Sequence, residues 1–392
     1  MTIAANIDEL MEKSSWIRKM FEAGAKLRAE HGAGNVFDFS IGNPNLKPPK
    51  EFQEALEKVA ADNSEGIHGY MPNMGFPHVR QAIAKTVLRD QGADVTGEDI
   101  IITCGAAGGL NVIIKALINP GEEILVTRPF FVEYTFYAQN HGGNLVTVPA
   151  NKDFSLNLDE MEKAISDKTR IVLVNSPNNP TGQIYTKDEL DKLGELLLKK
   201  SKEYGKVIYL VSDEPYRKIV FEDIEVPPMF SCYADTIVAT SHSKDLSLPG
   251  ERIGYITIGP DTQYREKLRA AMALTNRILG FVNAPSIMQR VLPYIQDASV
   301  DIDAYKRKRD MLCEGLAETT LEFIVPPGTF YIFPKSPIKD DVKFVQMLQD
   351  ELILAVPGSG FGKPGYFRLS FCVDDETIKN SIPAFKRVMD KV

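Results

Sequence analysis

A lysine that lies among small hydroxyl residues is the first candidate for chemistry in this chain. Ser241, Ser243 and Lys244 follow the apolar run 236–240, and Arg252 comes eight residues after the lysine. Hydroxyl and guanidinium groups bind phosphate, and a lysine amine can condense with an aldehyde. The stretch therefore predicts a pocket for a phosphorylated carbonyl compound. Taken alone, a lysine in a polar loop is more often a solvated surface charge, so this interpretation depends on the rest of the chain.

Small residues follow an earlier apolar run at 99–103. They read Cys104-Gly-Ala-Ala-Gly-Gly109 and lead into a helical pattern. Free backbone amides at a helix N-terminus form an anion site that suits phosphate. The alternative is that small residues only let the helix pack closely on the strand. A further run, 123–127, leads into Arg128-Pro-Phe-Phe-Val-Glu-Tyr134, whose aromatic residues either stack on a planar ring or fill the core.

Two later apolar runs end in polar residues. Run 170–174 continues into Asn175-Ser-Pro-Asn-Asn-Pro-Thr-Gly182, which is either a rigid ligand-binding loop or a plain turn. Run 206–212 ends in Asp213, and Tyr216 follows three residues later. Asp213 either caps a helix or lies beside a pyridine nitrogen and keeps it protonated. At ~4 Å and an effective dielectric near 20 that attraction is about 4 kcal/mol, enough to move a pKa by several units.

The composition is that of an ordinary globular protein. With 392 residues, 44% hydrophobic and 25% charged, the chain can bury a large core and form about two domains. A net charge of −8 argues against nucleic acid or an anionic membrane as the main partner, because both favour a basic patch. The N-terminus shows no secretory signal, no apolar run approaches ~20 residues, and the four cysteines have no CxxC or zinc spacing. We expect a cytoplasmic protein with reduced thiols and no metal site.

The order of apolar runs and helical patterns predicts an α/β fold. β-Branched runs alternate with amphipathic helices, which is typical of a mostly parallel central sheet with helices on both faces. Ligands of such sheets bind at the carboxyl ends of the strands. The predicted strands cover residues 99–103, 123–127, 144–148, 170–174, 206–212, 236–240 and 253–258, and the helices between them lie near 107–118, 131–140, 158–165 and 186–203.

The pattern after about residue 282 predicts a smaller α+β domain. Its expected elements are a charged helix, two hairpin-like segments and a C-terminal helix, at 301–318, 323–333, 353–371 and 376–390. An amphipathic arm and helix are expected within residues 7–30. We predict that residues 46–295 form a large domain. Residues 1–45 and 296–392 are expected to form a small domain with an N-terminal arm.

Two other motifs are set aside. Gly358-Ser-Gly-Phe-Gly-Lys-Pro364 is similar to a phosphate-binding P-loop, but its spacing fails and Pro364 replaces Ser or Thr. No GxGxxG follows a predicted strand, which disfavours a nicotinamide dehydrogenase. His242 lies inside the lysine loop, and the other histidines are scattered.

Taken together, the ordered motifs resemble those of the class I/II aminotransferases, which are pyridoxal-phosphate enzymes of the aspartate aminotransferase fold (fold type I). Matches extend from Ile41-Gly-Asn-Pro44 to Phe367-Arg-Leu-Ser370, so the resemblance covers nearly the whole chain. The central motifs are Asn178-Asn-Pro-Thr-Gly182, Asp213-Glu-Pro-Tyr216 and Ser241-His-Ser-Lys244 with Arg252.

The resemblance implies a role for each residue around the cofactor ring. Lys244 would hold pyridoxal phosphate as a Schiff base and then move a proton between substrate and cofactor. Asp213 would pair with the pyridinium nitrogen. Asn179 and Tyr216 would bind the phenolic oxygen of the ring. Phe131 would stack on the ring, although the family often has a tyrosine or tryptophan there.

The resemblance also implies how the phosphate and the substrate are bound. The phosphate would contact Gly105, Ala106, Ala107, Ser241, Ser243 and Arg252, and Tyr70 of the neighbouring subunit in a homodimer with shared sites. Family members commonly carry a polar side chain within the Gly105–Ala107 segment, and this chain does not. Arg368 would bind the substrate carboxylate as a bidentate fork, helped by Gly42 and Asn179.

The implied reaction transfers an amino group from an L-amino acid to a 2-oxo acid by a ping-pong route. One alternative keeps the fold and cofactor but acts as a carbon–sulfur β-lyase or a related synthase. Another is a non-catalytic sensor like regulators that fuse this fold to a DNA-binding module, which the short N-terminal arm disfavours. Candidate walls of the substrate pocket are Trp16, Ile17 and residues 273–283, and Arg277 is either a second substrate-binding cation or a surface charge.

Overall fold

The structure is a computed structural model of the chain that describes residues 3, 4, 7, 8, 10, 11 and 24–392. In chain order its strands are β1 (Phe37–Asp38), β2 (Ile100–Thr103), β3 (Glu123–Arg128), β4 (Asn144–Pro149), β5 (Thr169–Asn175), β6 (Tyr209–Asp213), β7 (Thr236–Ser241), β8 (Gly254–Ile258), β9 (Tyr331–Ile332), β10 (Ile353–Leu354), β11 (Val356–Pro357) and β12 (Phe367–Ser370). The helices that follow residue 49 are α1 (Lys50–Ala60), α2 (Pro77–Gln91), α3 (Gly105–Leu117), α4 (Glu133–Asn140), α5 (Leu158–Ala164), α6 (Lys187–Tyr204), α7 (Arg265–Ile278), α8 (Ser286–Val291), α9 (Ile302–Ala317), α10 (Asp341–Asp350) and α11 (Asp375–Met389).

The central sheet has the strand order β2-β8-β7-β6-β5-β3-β4. Neighbouring strands are parallel except at β8, which runs antiparallel to both β2 and β7. The mostly parallel sheet predicted from the sequence is therefore confirmed. The largest difference in strand bounds is at β6, which begins at Tyr209 rather than at residue 206.

Both faces of this sheet are buried, because successive residues of a strand enter different apolar clusters. Ile100 and Ile102 belong to one cluster, and Ile101 belongs to another. The β-branched runs thus form strands that are covered on both sides, as is usual in parallel sheets. Covered in this way, the sheet can expose ligand-binding residues only at the ends of its strands.

A separate apolar cluster lies mainly in the C-terminal part of the chain. It is built on the antiparallel sheet β11-β12-β9 and on the helices α9, α10 and α11. Strand β1 pairs with β10, and the neighbouring Phe39 is fully buried in this cluster. The N-terminal and C-terminal segments therefore share one core. The domain boundaries at 45/46 and 295/296 stay a prediction.

The hairpin predicted over residues 323–333 is wrong. Only Tyr331 and Ile332 form a strand in this segment, and β9 pairs with β12. Pro326 and Pro327 cannot donate to a strand ladder, so the preceding residues form no partner strand. The charged helix and the C-terminal helix are confirmed as α9 and α11. In the part of the chain that the structure describes, no helix has the length and apolarity needed to cross a membrane.

A buried acid connects the edge strand β2 to helix α7. Asp99 is fully buried immediately before β2 and accepts hydrogen bonds from the side chains of Arg265 and Arg269 and from Thr96. Burial alone would raise the pKa of Asp99, but the bonds from these three residues outweigh it and lower the pKa. The carboxylate therefore stabilises the fold at neutral pH, and this contribution is lost as the pH falls below the normal range of aspartate.

We expect the substitution Asp99→Ala to destabilise the fold by about 3 kcal/mol, because it leaves two partly buried arginines without their acceptor. The measurement is the midpoint of urea unfolding at pH 7, with the exposed Asp167→Ala as the matched control. A loss below about 1 kcal/mol would show that solvent replaces the carboxylate at this site.

Candidate active site

A cavity of about 480 Å³ lies where the central strands end. The residues that end β5, β6 and β7 are Asn175, Asp213 and Ser241, and all three line it. The carboxyl edge of a parallel sheet is the usual place for a ligand. Most of the site residues predicted from the sequence line this cavity: Gly42, Ala106, Ala107, Phe131, Asn179, Asp213, Tyr216, Ser241, Ser243, Lys244, Arg252 and Arg368.

Lys244 reaches the cavity from the loop that follows β7. Its Nζ donates a hydrogen bond of 2.9 Å to the carbonyl oxygen of Gly42. Burial lowers the pKa of Lys244 to about 8, and the guanidinium groups of Arg368 and Arg252 act in the same direction. Near pH 7 roughly a tenth of this amine is therefore unprotonated, far more than for an ordinary lysine, as a nucleophile or a general base requires.

Asp213 is a buried carboxylate with one oxygen paired and the other free. The hydroxyl of Tyr134 donates to Oδ2 at 2.6 Å, whereas Oδ1 has no partner among the described residues. Burial raises the pKa of Asp213 to about 7, and the bond from Tyr134 opposes that rise. A buried oxygen without a partner destabilises a protein unless a ligand supplies the missing donor. The free Oδ1 thus suits a ligand that carries a protonated ring nitrogen.

Arg368 connects two loops at one end of the cavity. Its Nη1 donates to Oδ1 of Asn179 at 3.0 Å, and its Nη2 donates to the carbonyl oxygen of Ser40 at 2.8 Å. The guanidinium carbon lies 4.4 Å from the ring centre of Tyr331 and 4.8 Å from that of Phe361. Nε has no partner among the described residues. The guanidinium is therefore held in one orientation, and the edge that carries Nε has one donor free for a carboxylate.

The opposite end of the cavity is suited to an anion. Helix α3 begins at Gly105, and the amides of its first turn have no acceptor within the helix. Ser241, Ser243 and Arg252 line the same end. Arg252 has φ = 52° and donates from Nη1 to the carbonyl oxygen of Pro249 at 2.9 Å. Backbone dipoles, hydroxyls and a guanidinium group are together suited to bind an anion such as a phosphate.

Two tyrosines form one wall of the cavity. The hydroxyl of Tyr216 lies 3.1 Å from the hydroxyl of Tyr331. Burial raises the pKa of both groups, so they stay protonated and can donate at neutral pH. A Cβ on Gly42 would lie 1.8 Å from the Tyr331 hydroxyl oxygen, so only glycine fits beside this wall.

Two of the predicted cofactor residues do not line the cavity. Gly105 packs behind it, where a Cβ would lie 3.0 Å from Nη2 of Arg252. The side chain of Tyr70 is 94% exposed. The prediction for Tyr70 concerns a neighbouring subunit, so it stays a prediction.

The structure describes some, but not all, of the residues that were predicted to form the walls of the substrate pocket. Residues 273–283 do not line the cavity formed by the single chain, and their assignment to the walls of the substrate pocket stays a prediction. They belong to the end of α7 and the turn after it, and the side chain of Arg277 is exposed. Trp16 and Ile17 lie outside the described residues.

Several residues of the cavity were missed by the sequence analysis. Tyr134 and Tyr137 follow Phe131 at helical spacings of three and six, which could have indicated a shared face. Glu133 lies in the same turn. Tyr331 comes from a segment without any motif, so the sequence carried no signal for it.

His242 faces away from the cavity around Lys244. It lines a second cavity behind the loop, and its Nδ1 lies 3.1 Å from Oδ2 of Asp245. This contact joins the residues on either side of Ser243 and Lys244, on the side of the loop that faces away from the first cavity. His242 therefore supports the shape of the loop and contacts no ligand of the first cavity.

Comparisons with known proteins agree with this geometry. The family described as aminotransferase class I and II matches residues 34–385. The chain is 30% identical over 392 residues to a probable aspartate aminotransferase of Methanocaldococcus jannaschii, with 96% of this chain and 98% of that protein covered. It is also 30% identical to an aspartate/prephenate aminotransferase of Thermus thermophilus, with 90% of each chain covered.

Solved structures show the same similarity in three dimensions. An aminotransferase from Eubacterium rectale matches with a TM-score of 0.97 at 39% identity, over 100% of this chain and 99% of that one. The aspartate aminotransferase of Thermus thermophilus with maleate matches with a TM-score of 0.85 at 28% identity, over 95% of this chain and 96% of that one.

The fold and the cavity define an α/β enzyme of the aspartate aminotransferase fold, in which the strand ends carry the functional groups. The chain belongs to the aminotransferase class I and II family. It is an aminotransferase, and the comparisons support this activity rather than a carbon–sulfur lyase.

The raised pKa of Asp213 predicts a pH-dependent stability for the ligand-free protein. Between about pH 4 and 7 the unfolded chain ionises this residue while the folded chain keeps it protonated, so stability falls as the pH rises. Asp213→Asn removes the penalty. We expect the stability of the variant relative to the wild type to grow by about 4 kcal/mol over this range.

Urea unfolding of ligand-free protein at pH 4.5 to 7.5 measures this difference, and the exposed Asp167→Asn serves as the control. A difference between the Asp213→Asn variant and the wild type that stays constant with pH would contradict a buried carboxyl with a raised pKa.

Proposed function

We propose that this aminotransferase binds pyridoxal phosphate in the cavity of about 480 Å³ and uses Lys244 to transfer an amino group from an L-amino acid to a 2-oxo acid. The observation that carries the proposal is one pair of buried groups. Asp213 has a free carboxylate oxygen, and Lys244 has an amine whose pKa is lowered to about 8, and both line the same cavity.

The residues of the cavity suit this cofactor at both of its ends. Oδ1 of Asp213 would accept from the protonated ring nitrogen, and that positive charge would offset the cost of burying the carboxylate. Asn179 gives its amide oxygen to Arg368, which leaves its NH₂ group to donate to the ring oxygen beside Tyr216. Phe131 would cover the ring, and the anion site at the start of α3 would bind the phosphate.

Pyridoxal phosphate supplies an aldehyde that condenses with amines and a protonated ring that accepts electrons. The chain supplies the remaining parts of the reaction. Lys244 would hold the cofactor and would then move a proton between the substrate Cα and the cofactor, in one direction in the first half-reaction and in the opposite direction in the second. Its lowered pKa suits both directions of that transfer, because a base is most effective when its pKa lies near the working pH.

Arg368 orients the substrate through the carboxylate that all α-amino acids and 2-oxo acids share. Its free edge would bind that group as a fork, and its stacking between Tyr331 and Phe361 keeps the fork in place. Gly42 lets the substrate approach the backbone closely. Two compared relatives are named for aspartate or for aspartate and prephenate, and both of those compounds carry the group that this fork recognises.

We also propose that the working unit is a homodimer whose subunits share their active sites. Tyr70 is almost fully exposed although it is a large aromatic residue, which supports its assignment to the phosphate site of a neighbouring subunit. The four cysteines are free, which supports a reducing compartment such as the cytoplasm.

The first test is the substitution Lys244→Ala. We expect transamination to fall at least about 10²-fold because the general base is lost. Borohydride treatment of the wild type should leave a pyridoxyl group on the peptide that contains Lys244, as detected by mass spectrometry. The exposed Lys168→Ala is the matched control and should behave as the wild type. Turnover and cofactor attachment that persist in the Lys244→Ala variant would overturn the proposal.

A complementation experiment tests the shared site. Lys244→Ala and Tyr70→Ala each impair the homodimer, but a mixed dimer contains one site with both native residues. After subunit exchange we expect the equimolar mixture to recover about a quarter of the native sites. Activity of the mixture that only equals the mean of the two separate variants would place Tyr70 outside the partner's site.

A further inference from the structure

A cavity of about 610 Å³ lies at the edge of the central sheet opposite to the cavity around Lys244. Arg170 is the second residue of β5, Tyr209 is the first residue of β6 and Asp235 immediately precedes β7, and all three line it. Because these three strands are parallel, their amino ends meet at this edge. We call this space the amino-edge cavity. Along β6, Tyr209 lies about 13 Å from Asp213, so the ligand of this cavity is not the substrate of the other.

The amino-edge cavity is basic, although the chain has a net charge of −8. Four cations and one acid line it: Arg170, Lys202, Lys206, Lys267 and Asp235. The acid is already engaged, since the Asp235 carboxylate accepts from the backbone amide of Gln263 at 2.7 Å. A cleft lined mainly by one sign of charge concentrates ligands of the opposite sign. The lining therefore favours an anion.

Helix α6 contributes a lysine whose charge is left free. Four lysines of this helix lie 2.6 to 2.9 Å from a carboxylate, namely Lys187, Lys192, Lys199 and Lys200. Lys202 is the remaining lysine of α6 and lines the amino-edge cavity. It forms no ion pair or hydrogen bond with a described residue. The lysine that α6 presents to the cavity is thus the one without an acidic partner.

Helix α7 contributes a second free lysine. In its first two turns, Arg265 and Arg269 both pair with the buried Asp99. Lys267 stands between them in the sequence, lines the amino-edge cavity and pairs with no described residue. Two helices that are distant in the sequence therefore each place an unpaired ammonium group at the same cavity.

The other two cations are partly neutralised. Nη2 of Arg170 lies 3.2 Å from Oε1 of Glu122, and Nη1 donates to the carbonyl oxygen of Val207 at 3.1 Å. Nζ of Lys206 lies 3.7 Å from the same Glu122 oxygen. The positive charge that remains for a ligand is therefore mainly that of Lys202 and Lys267.

The rest of the lining is largely aromatic and apolar. Tyr264 is 67% exposed and Leu198 is 46% exposed, although both are large side chains that pack well on a ligand. An aromatic ring prefers to stack on another ring. The volume lies in the range of small organic ligands and is far larger than an inorganic ion needs. The lining therefore suits an anion that also has an aromatic body.

We propose that the amino-edge cavity binds an organic anion that carries an aromatic ring. The anionic group would lie between Lys202 and Lys267, and the ring would stack on Tyr264. A nucleotide and an aromatic 2-oxo acid both have this chemistry. The inference is independent of the proposed function, because no residue of this lining also lines the cavity around Lys244.

The test is isothermal titration calorimetry of the purified holoenzyme with AMP, phenylpyruvate and inorganic phosphate at low ionic strength. We expect AMP or phenylpyruvate to bind with a Kd below about 1 mM, and inorganic phosphate to bind at least about tenfold more weakly. The tighter of the two aromatic anions identifies the source. The double variant Lys202→Glu/Lys267→Glu should raise the Kd of that anion at least about tenfold. Tyr264→Ala should weaken it about fivefold and leave the affinity for phosphate unchanged.

Lys192→Glu/Lys199→Glu is the matched control, because it makes the same change of charge at exposed lysines of α6 that do not line the cavity. It should bind the anions as the wild type does, and both double variants should keep transaminating. If neither aromatic anion binds, or if Lys202→Glu/Lys267→Glu binds as tightly as the wild type, the inference is wrong. Equal affinity for inorganic phosphate and for the aromatic anions would also overturn it, because the lysines would then attract any anion.

Discussion

The structure depends most on a carboxylate buried at the end of a strand. Asp213 is buried at the end of β6, and among the described residues Tyr134 alone donates a hydrogen bond to its carboxylate. Burying a carboxylate oxygen that has no hydrogen-bond partner costs free energy. Burial therefore raises the pKa of Asp213 to about 7. The unpaired oxygen lowers the free energy of unfolding, and a ligand that donates to it would recover this free energy on binding. Apolar residues cover both faces of the central sheet, and this large core offsets the local cost of burying Asp213, which is a few kcal/mol.

Arg368 plays the complementary part at the junction of distant chain segments. Arg368 lies on β12 and stacks on aromatic rings such as that of Tyr331. Its guanidinium group donates hydrogen bonds to Ser40 near the N-terminus and to Asn179 after β5. One guanidinium group thus fixes the relative positions of three segments that bound the substrate space. Since its donors are directed by the backbone and an amide, the fork is oriented before any substrate arrives, which reduces the entropy lost on binding.

The motifs at the strand ends were predictable, because Lys244, Asp213 and Asn179 come at or soon after the end of a short run of β-branched residues and Arg252 comes just before one. The mostly parallel sheet followed from the same runs. Partners that come from elsewhere in the fold were not predictable: Tyr331 reaches Tyr216 across 115 positions, and no local pattern marks such a pair. The hairpin expected at 323–333 failed because Pro326 and Pro327 remove the donors of a ladder, and Ile324 and Val325 just before them stay exposed in an irregular segment.

The antiparallel strand β8 has a consequence for the choice of ligand. Because β8 returns beside β7 with Ser241 opposite Gly254, the loop that carries Lys244 and Arg252 is closed at its base by the sheet. Lys244 and Arg252 therefore extend from one loop whose two ends are held together by the sheet. Any compound that engages both must have its carbonyl and its anionic group separated by the span of this loop. In the proposed function, the hairpin would therefore favour a phosphorylated aldehyde whose carbonyl and phosphate are separated by this span.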